Sequence, residues 1–276
     1  MTSRITSPSN PRVVQARKLR RASERARSGS FLIEGEILLR EAIESGLSVT
    51  EVFIAGDGPE TRSAESAARD ASARVWHVSG SVLKALADTT TPQGIVAIVS
   101  VPDRSIGELS DPSLVVVLAE VRDPGNAGTL VRSAAAAEAD AIVFPKGAVD
   151  PFAPKTVRAA AGALFKIPVI RSDSTNAALE ELREKGLVRI AADARGGRSA
   201  YQADLTRPFA LVLGNEAWGL PRELSSLIDE RVTIPMPGPT ESLNVGIAGS
   251  ILLFEAVRQR VPRGPNQRAL SSFGNG

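Results

Sequence analysis

The stretch Leu114-Val-Val-Val-Leu-Ala-Glu120, followed after Val121 and Arg122 by Asp123-Pro-Gly-Asn-Ala-Gly-Thr-Leu-Val-Arg132, decides how the chain is read. Leu114 to Leu118 are apolar at every position, so neither face of that strand is left for water, the mark of a sheet covered on both sides. The second half turns through Gly125 and Gly128 and enters a helical pattern near Thr129, with Asn126 as a candidate cap. Arg132 then falls on the first turn of that helix or just beyond, near the strand ends where open α/β sheets bind ligands. The same alternation runs outward in both directions. Strands are expected over 51–55, 75–78, 95–99, 114–120, 141–144, 167–170, 189–192, 209–213 and 231–236. Helices are expected over 34–45, 61–71, 129–137, 175–185, 222–227 and 245–260. This rhythm predicts a parallel α/β architecture.

Val101-Pro-Asp-Arg-Ser-Ile-Gly-Glu-Leu-Ser-Asp-Pro-Ser113 breaks the pattern with prolines, charge and turn residues, and reads as a boundary. It separates a small α/β unit over 1–105 from a larger one over 106–262, with a polar, Gly- and Asn-rich tail over 263–276. The net charge of the 276 residues is only +2, but residues 1–30 alone hold eight bases against Glu24, a local net of +7. A basic arm on a mildly acidic body suits a polyanion, with nucleic acid first in line. No aromatic residues interleave with Arg12, Arg17, Lys18, Arg20 and Arg21, so the arm is expected to contact the phosphate backbone rather than stack on bases. The alternative is a solvated helix face. The absence of cysteine excludes disulfides and thiolate metal sites and suits a reducing cytoplasm. The first 21 residues have no apolar core of the kind a signal peptide needs, and no apolar run approaches the roughly 20 residues that span a bilayer.

Two further loops stand out. Gly214-Asn-Glu-Ala-Trp-Gly219 follows the wholly apolar run 209–213 and sets the carboxylate of Glu216 beside the indole of Trp218. Ile234-Pro-Met-Pro-Gly-Pro-Thr-Glu-Ser-Leu-Asn244 carries three prolines in five residues, which fix its path, and Ser242 and Asn244 are favourable helix starters. The helix that follows opens with Gly246, Ala248 and Gly249, small residues that let another segment or a ligand pack closely. The first loop is neither the G-x-G-x-x-G dinucleotide fingerprint nor a P-loop.

Taken together, the three loops resemble those of the SpoU/TrmH family of RNA 2′-O-ribose methyltransferases. The family's first motif is matched by Asn126, Gly128 and Arg132, and its second by Gly214, Asn215, Glu216 and Gly219. The third is matched by Ile234-Pro-Met236 and Ser242-Leu-Asn-Val245. Asp150-Pro-Phe-Ala-Pro and Arg158 to Gly162 also fit the family, while Ser9-Asn-Pro11 and Phe31-Leu-Ile-Glu-Gly35 resemble the ribosomal-protein-like RNA-binding domain that many members carry.

The resemblance implies a deep trefoil knot in the C-terminal domain, S-adenosylmethionine as cofactor, and a homodimer with composite active sites. It implies catalytic roles for Arg132, Asn126, Glu216, Ser242 and Asn244. It places the cofactor against Ala192, Asp193, Gly214, Ile234, Met236 and Leu243, and adds Arg158 to the RNA-binding residues of the arm. No metal and no membrane enter the expected chemistry. Ribosomal RNA is favoured over transfer RNA because the extra N-terminal domain is typical of ribosomal-RNA members; a transfer-RNA enzyme or a non-catalytic RNA-binding homologue are the alternatives. A nucleotide-binding oxidoreductase is disfavoured by the missing fingerprint, and a non-catalytic homologue by the intact motif residues. His77, the single histidine, reads as structural.

Overall fold

The computed structural model describes residues 4–194, 196–215 and 218–261. Glu216 and the tail over 263–276 lie outside them.

The N-terminal half runs α1 (Pro11–Lys18), α2 (Ala22–Ser28), β1 (Ser30–Glu34), α3 (Glu36–Glu44), β2 (Val49–Ile54), α4 (Pro59–Asp70), β3 (Arg74–His77), α5 (Gly80–Leu86) and β4 (Ile95–Ser100). Its four strands form one sheet in the order β1-β4-β2-β3, with β4 antiparallel to both neighbours and β3 parallel to β2. The C-terminal half runs β5 (Leu114–Leu118), α6 (Pro124–Ala136), β6 (Ala141–Pro145), α7 (Pro154–Ala160), β7 (Val169–Ser172), α8 (Thr175–Glu184), β8 (Val188–Ala192), β9 (Arg198–Ser199), β10 (Phe209–Leu213), β11 (Glu230–Thr233) and α9 (Val245–Arg260). Its seven strands form a second sheet, parallel throughout, in the order β7-β6-β5-β10-β8-β11-β9. The expected α/β class and parallel sheet are present.

β5 and β10 lie side by side at the centre, from Phe209 opposite Leu114 to Leu213 opposite Leu118, and both are buried at every position. Continuous apolar sequence was the signal, and burial on both faces is its cause. β11 stops at Thr233, short of the expected 236, because Pro235 and Pro237 cannot donate to the ladder. The segment 222–227 is a 3-10 turn rather than an α-helix. Sequence periodicity did not reveal α1, α2, β1, α5, α7 or the two-residue β9, all short elements fixed by their tertiary neighbours.

The first loop differs from its sequence reading. The cap of α6 is Asp123, whose side chain accepts from the Asn126 N–H at 2.9 Å, and Pro124 occupies the first helical position. Asn126 therefore lies inside the first turn, and Arg132 lies two turns into the helix. Gly128 makes no turn. It is buried in α6, and a methyl there would overlap the backbone of Ala159 and Ala160 on α7.

The boundary segment is also packed. Ile106 is buried, and Lys185 Nζ donates to the carbonyls of Gly107 and Leu109 at 2.8 and 2.9 Å. The two sheets share one continuous apolar core: Phe31 of β1 packs against Phe152, tilted by 41°, at 4.9 Å between ring centroids and lies 6.5 Å from Phe165. Ionic contacts line the same junction, with Arg25 on Asp150 at 2.6 Å, Arg158 on Asp88 at 2.6 Å and Lys166 on Glu41 at 2.9 Å. Among the described residues no helix is long and apolar enough to cross a membrane.

Candidate active site

Parallel strands deliver their following loops to one edge of a sheet, and a ligand site forms where those loops diverge. Here the loops after β8, β10 and β11 enclose a cleft of about 350 Å³, a volume suited to a nucleoside-sized ligand. Ala192 and Asp193 come from the first, Gly214, Asn215 and Trp218 from the second, and Ile234, Met236, Ser242 and Leu243 from the third. All six residues expected at the cofactor therefore line one cavity.

Local chemistry explains the shape. After β10 the chain makes a tight turn in which Asn215 and Gly219 exchange two backbone hydrogen bonds of 2.9 Å. A Cβ on Gly214 would come within 2.6 Å of the Gly219 backbone, so only glycine lets the turn close. Asn244 ends the proline-rich loop and caps α9, its Oδ1 accepting from Gly246 N–H at 3.0 Å and Ile247 N–H at 3.3 Å. Gly249 then sits where any methyl would overlap Leu130 of α6 and Leu213 of β10, so that glycine serves close packing against protein. Val245, Ala248 and Leu252, on the inner face of α9, complete the apolar lining of the cleft.

The polar rim is organised by ion pairing and helix ends. Asp193 pairs with Arg231 at 2.8 Å, joining the loop after β8 to β11. Asn244 Nδ2 donates to Asn126 Oδ1 at 2.9 Å, which ties the first motif to the third. Ser242 lines the cleft; Asn126, Asn244 and Arg132 do not. Arg132 is exposed and borders a separate open groove with Thr129, Ser133, Lys166 and Phe254, lined by α6, the segment 161–166 after α7, and one residue of α9.

The expected RNA-binding residues divide into two groups. Arg17 and Arg21 are exposed and Lys18 half-buried. Arg12 lies over the Trp76 ring at 4.1 Å and faces Glu51 at 3.7 Å, while Trp76 Nε1 donates to the same carboxylate at 2.6 Å. Arg12 thus does have an aromatic partner, supplied by β3 rather than by its own segment. Arg158 is held by Asp88 between the two halves, and Arg20 lines a small cavity beside it, with Nε buried and lacking a hydrogen-bond partner. Sequence reasoning gave Arg25 no role of its own; its side chain, 5% exposed, donates to the carbonyls of Leu19 and Arg20 and to Asp150, and so clamps the arm to the C-terminal half. His77 lies 3.2 Å from Glu65, on the N-terminal sheet and away from the cleft lining.

Comparison with known proteins agrees with this geometry. Residues 113–254 match the SpoU rRNA Methylase family, and residues 10–97 match the MRM3-like substrate binding domain. The chain is 34% identical to the 23S rRNA (guanosine(2553)-2′-O)-methyltransferase RlmP of Bacillus subtilis, covering 91% of this chain and 97% of that protein. It is 32% identical to the 23S rRNA (uridine(2479)-2′-O)-methyltransferase of Streptomyces viridochromogenes, covering 87% and 86%. Among solved structures it is similar to the AdoMet-bound rRNA methyltransferase of Sinorhizobium meliloti, with a TM-score of 0.84, 31% identity, and 93% and 98% of the two chains covered.

Proposed function

The chain belongs to the SpoU rRNA methylase family, and on that premise we propose that it methylates a ribose 2′-oxygen of 23S ribosomal RNA. It is an RNA 2′-O-ribose methyltransferase that uses S-adenosylmethionine. The observation that carries the reading is the single cleft shared by the second and third motifs, with every expected cofactor residue on its wall. The two relatives act by name on a guanosine and a uridine, so ribose chemistry is carried over here and base identity is not.

When bound, S-adenosylmethionine supplies a sulfonium-activated methyl group, whose transfer leaves a neutral thioether. The chain's residues do the rest, mostly by positioning. Met236 and the apolar face of α9 exclude water from the cleft, and backbone groups at Ala192, Gly214, Ile234 and Leu243 would hold the cofactor. Asn126 and Asn244 fix each other and thereby the start of both helices. A guanidinium stays protonated and makes a poor base, so Arg132 is assigned to gripping a phosphate and stabilising the developing alkoxide. Glu216, between Asn215 and Trp218 in sequence, is the candidate acceptor of the 2′-hydroxyl proton.

Arg132 borders the groove rather than the cleft, so its assignment requires a homodimer in which it reaches the cleft of a partner subunit. The groove supports this reading. α9 presents Ile247 and Phe254, 51% and 49% exposed and one heptad apart, on the side away from its cleft-lining residues. A helix apolar on both faces calls for cover on both. The trefoil knot belongs to the same proposal, supported by the way residues 213–215, 218–220, 241–243 and 245 meet in one cavity. So do the division at 105/106, an RNA-binding N-terminal half and a cytoplasmic location.

The test is the product. Alkali cleaves RNA through attack of the 2′-hydroxyl on the adjacent phosphate, and a methylated oxygen cannot attack. Label from S-adenosylmethionine should appear in an alkali-resistant dinucleotide of 23S ribosomal RNA. Label recovered in mononucleotides would put the methyl on a base and refute the assignment.

A further inference from the structure

Trp218 stands at the mouth of the cofactor cleft with 69% of its surface exposed, more than any other large apolar side chain among the described residues. Asn215 and Gly219 exchange backbone hydrogen bonds around it, Gly214 is pressed against the backbone of Gly219 and Leu220, and Gly219 takes a left-handed conformation at φ 72°. Asn215 and Gly219, on either side of the indole, are thus tied to each other. The inner part of the cleft is already closed by Leu213, Val245 and Leu252, so the indole is not needed to seal it. A large aromatic face held in water beside a cleft is a surface waiting for a ligand.

Two ligands meet at this cleft in the methyl-transfer reading on which the inference rests. The cofactor takes the inner wall formed by Ala192, Gly214, Ile234, Met236 and Leu243. The target nucleotide must come from the open side, with its 2′-oxygen inward and its base outward. Trp218 is the sole aromatic residue among the described residues that line the cleft, and it lies on that open side. A base lifted from its helix loses stacking and regains it on an aromatic face.

We propose that Trp218 is the stacking platform for the base of the target nucleoside. Every base has a π face, so such a platform orients the nucleoside without selecting its identity. Selection then falls to hydrogen-bonding groups elsewhere in the complex. Trp218 is on this account a positioning residue for RNA, not a cofactor contact.

The test uses the full-length enzyme with S-adenosylmethionine and unmethylated 23S ribosomal RNA. Trp218→Ala should raise KM for RNA about 10-fold or more and leave the cofactor Kd, read by calorimetry, unchanged. Trp218→Phe keeps an aromatic face and should recover most of the loss. The chain's other tryptophan is Trp76, so a Trp76→Phe protein reports on Trp218 alone. Its emission should be quenched when RNA is added in the presence of S-adenosylhomocysteine, and not by S-adenosylhomocysteine alone. An unchanged KM for RNA in the alanine variant overturns the proposal. So does a defect confined to cofactor binding, quenching by S-adenosylhomocysteine alone, or a loss that phenylalanine does not recover. Wild-type enzyme that leaves the RNA unlabelled refutes the methyl-transfer reading instead, and the emission change on RNA addition still decides the stacking.

Discussion

Asn244 donates from Nδ2 to Oδ1 of Asn126 at 2.9 Å across 118 residues of sequence, while its own Oδ1 caps α9. One side chain thus completes a helix and fastens it to the start of another. The two motifs are parts of a single joint, and the proline-rich loop before Asn244 keeps that joint at the edge of the cleft.

Asn244→Ala should lose both functions. Loss of the cap is expected to cost about 1 kcal/mol of stability, as caps of this kind do. Asn126→Ala should cost less, because Asp123 still caps α6. A double-mutant cycle read by denaturant melts should give a coupling of about 0.5–1 kcal/mol between the two positions. Strict additivity would mean that the pair carries no energy of its own. Cofactor affinity should fall with Asn244→Ala, since Ser242 and Leu243 immediately precede it.

Arg132→Ala separates binding from chemistry. Arg132 does not line its own subunit's cleft and is assigned to the RNA phosphate rather than to the cofactor, so cofactor affinity should be unchanged by calorimetry. Turnover should drop by about 100-fold or more, the usual consequence of losing a charged group that stabilises a developing anion. An active variant would remove Arg132 from the catalytic centre.

The arm makes a prediction that distinguishes its arginines. Arg17→Ala and Arg21→Ala remove exposed charges, and each should flatten the dependence of log K on log salt by about one unit. Arg12→Ala should also lower stability, because it strips a guanidinium from the Trp76 face. Filter-binding isotherms at several salt concentrations, with thermal melts alongside, resolve the three. Removing residues 1–105 altogether is a harsher change than sequence suggests. It takes Phe31 off Phe152 and Arg25 off Asp150, so the fragment should melt well below the full chain.

A pH prediction follows from Asp229. Arg189 donates to both its carboxylate oxygens, at 2.9 and 2.8 Å, and this hydrogen bonding holds the carboxyl below its ordinary value of 3.8 against the opposing effect of burial. A carboxyl lowered in the folded state contributes stability above its unfolded pKa and loses it as pH falls through the folded one. Asp229→Asn should therefore destabilise the protein at neutral pH and have a shrinking effect below about pH 4. Urea melts of both proteins between pH 3 and 7 should converge toward the acid end; parallel curves would show that the pair contributes no pH dependence.

Sequence by itself determined what depends on near neighbours. The unbroken apolar runs of β5 and β10 predicted buried parallel strands, because a strand with no polar face has nowhere else to go. α9 was legible to the residue over 245–260, since Asn244 caps it and the preceding prolines cannot extend it backward. The six residues that the family resemblance assigns to the cofactor share one cavity because parallel topology gathers the ends of β8, β10 and β11 at one edge. Tertiary structure alone decided the rest. It placed Arg132 on a groove instead of the cleft, set Arg12 against Trp76, and turned Arg25 and Arg158 from arm and surface charges into bonds between the two halves. It also joined two apparent domains through Phe31 and Phe152. These are contacts between residues far apart in the chain, and their geometry depends on how whole elements pack, which no local pattern of polarity or spacing records.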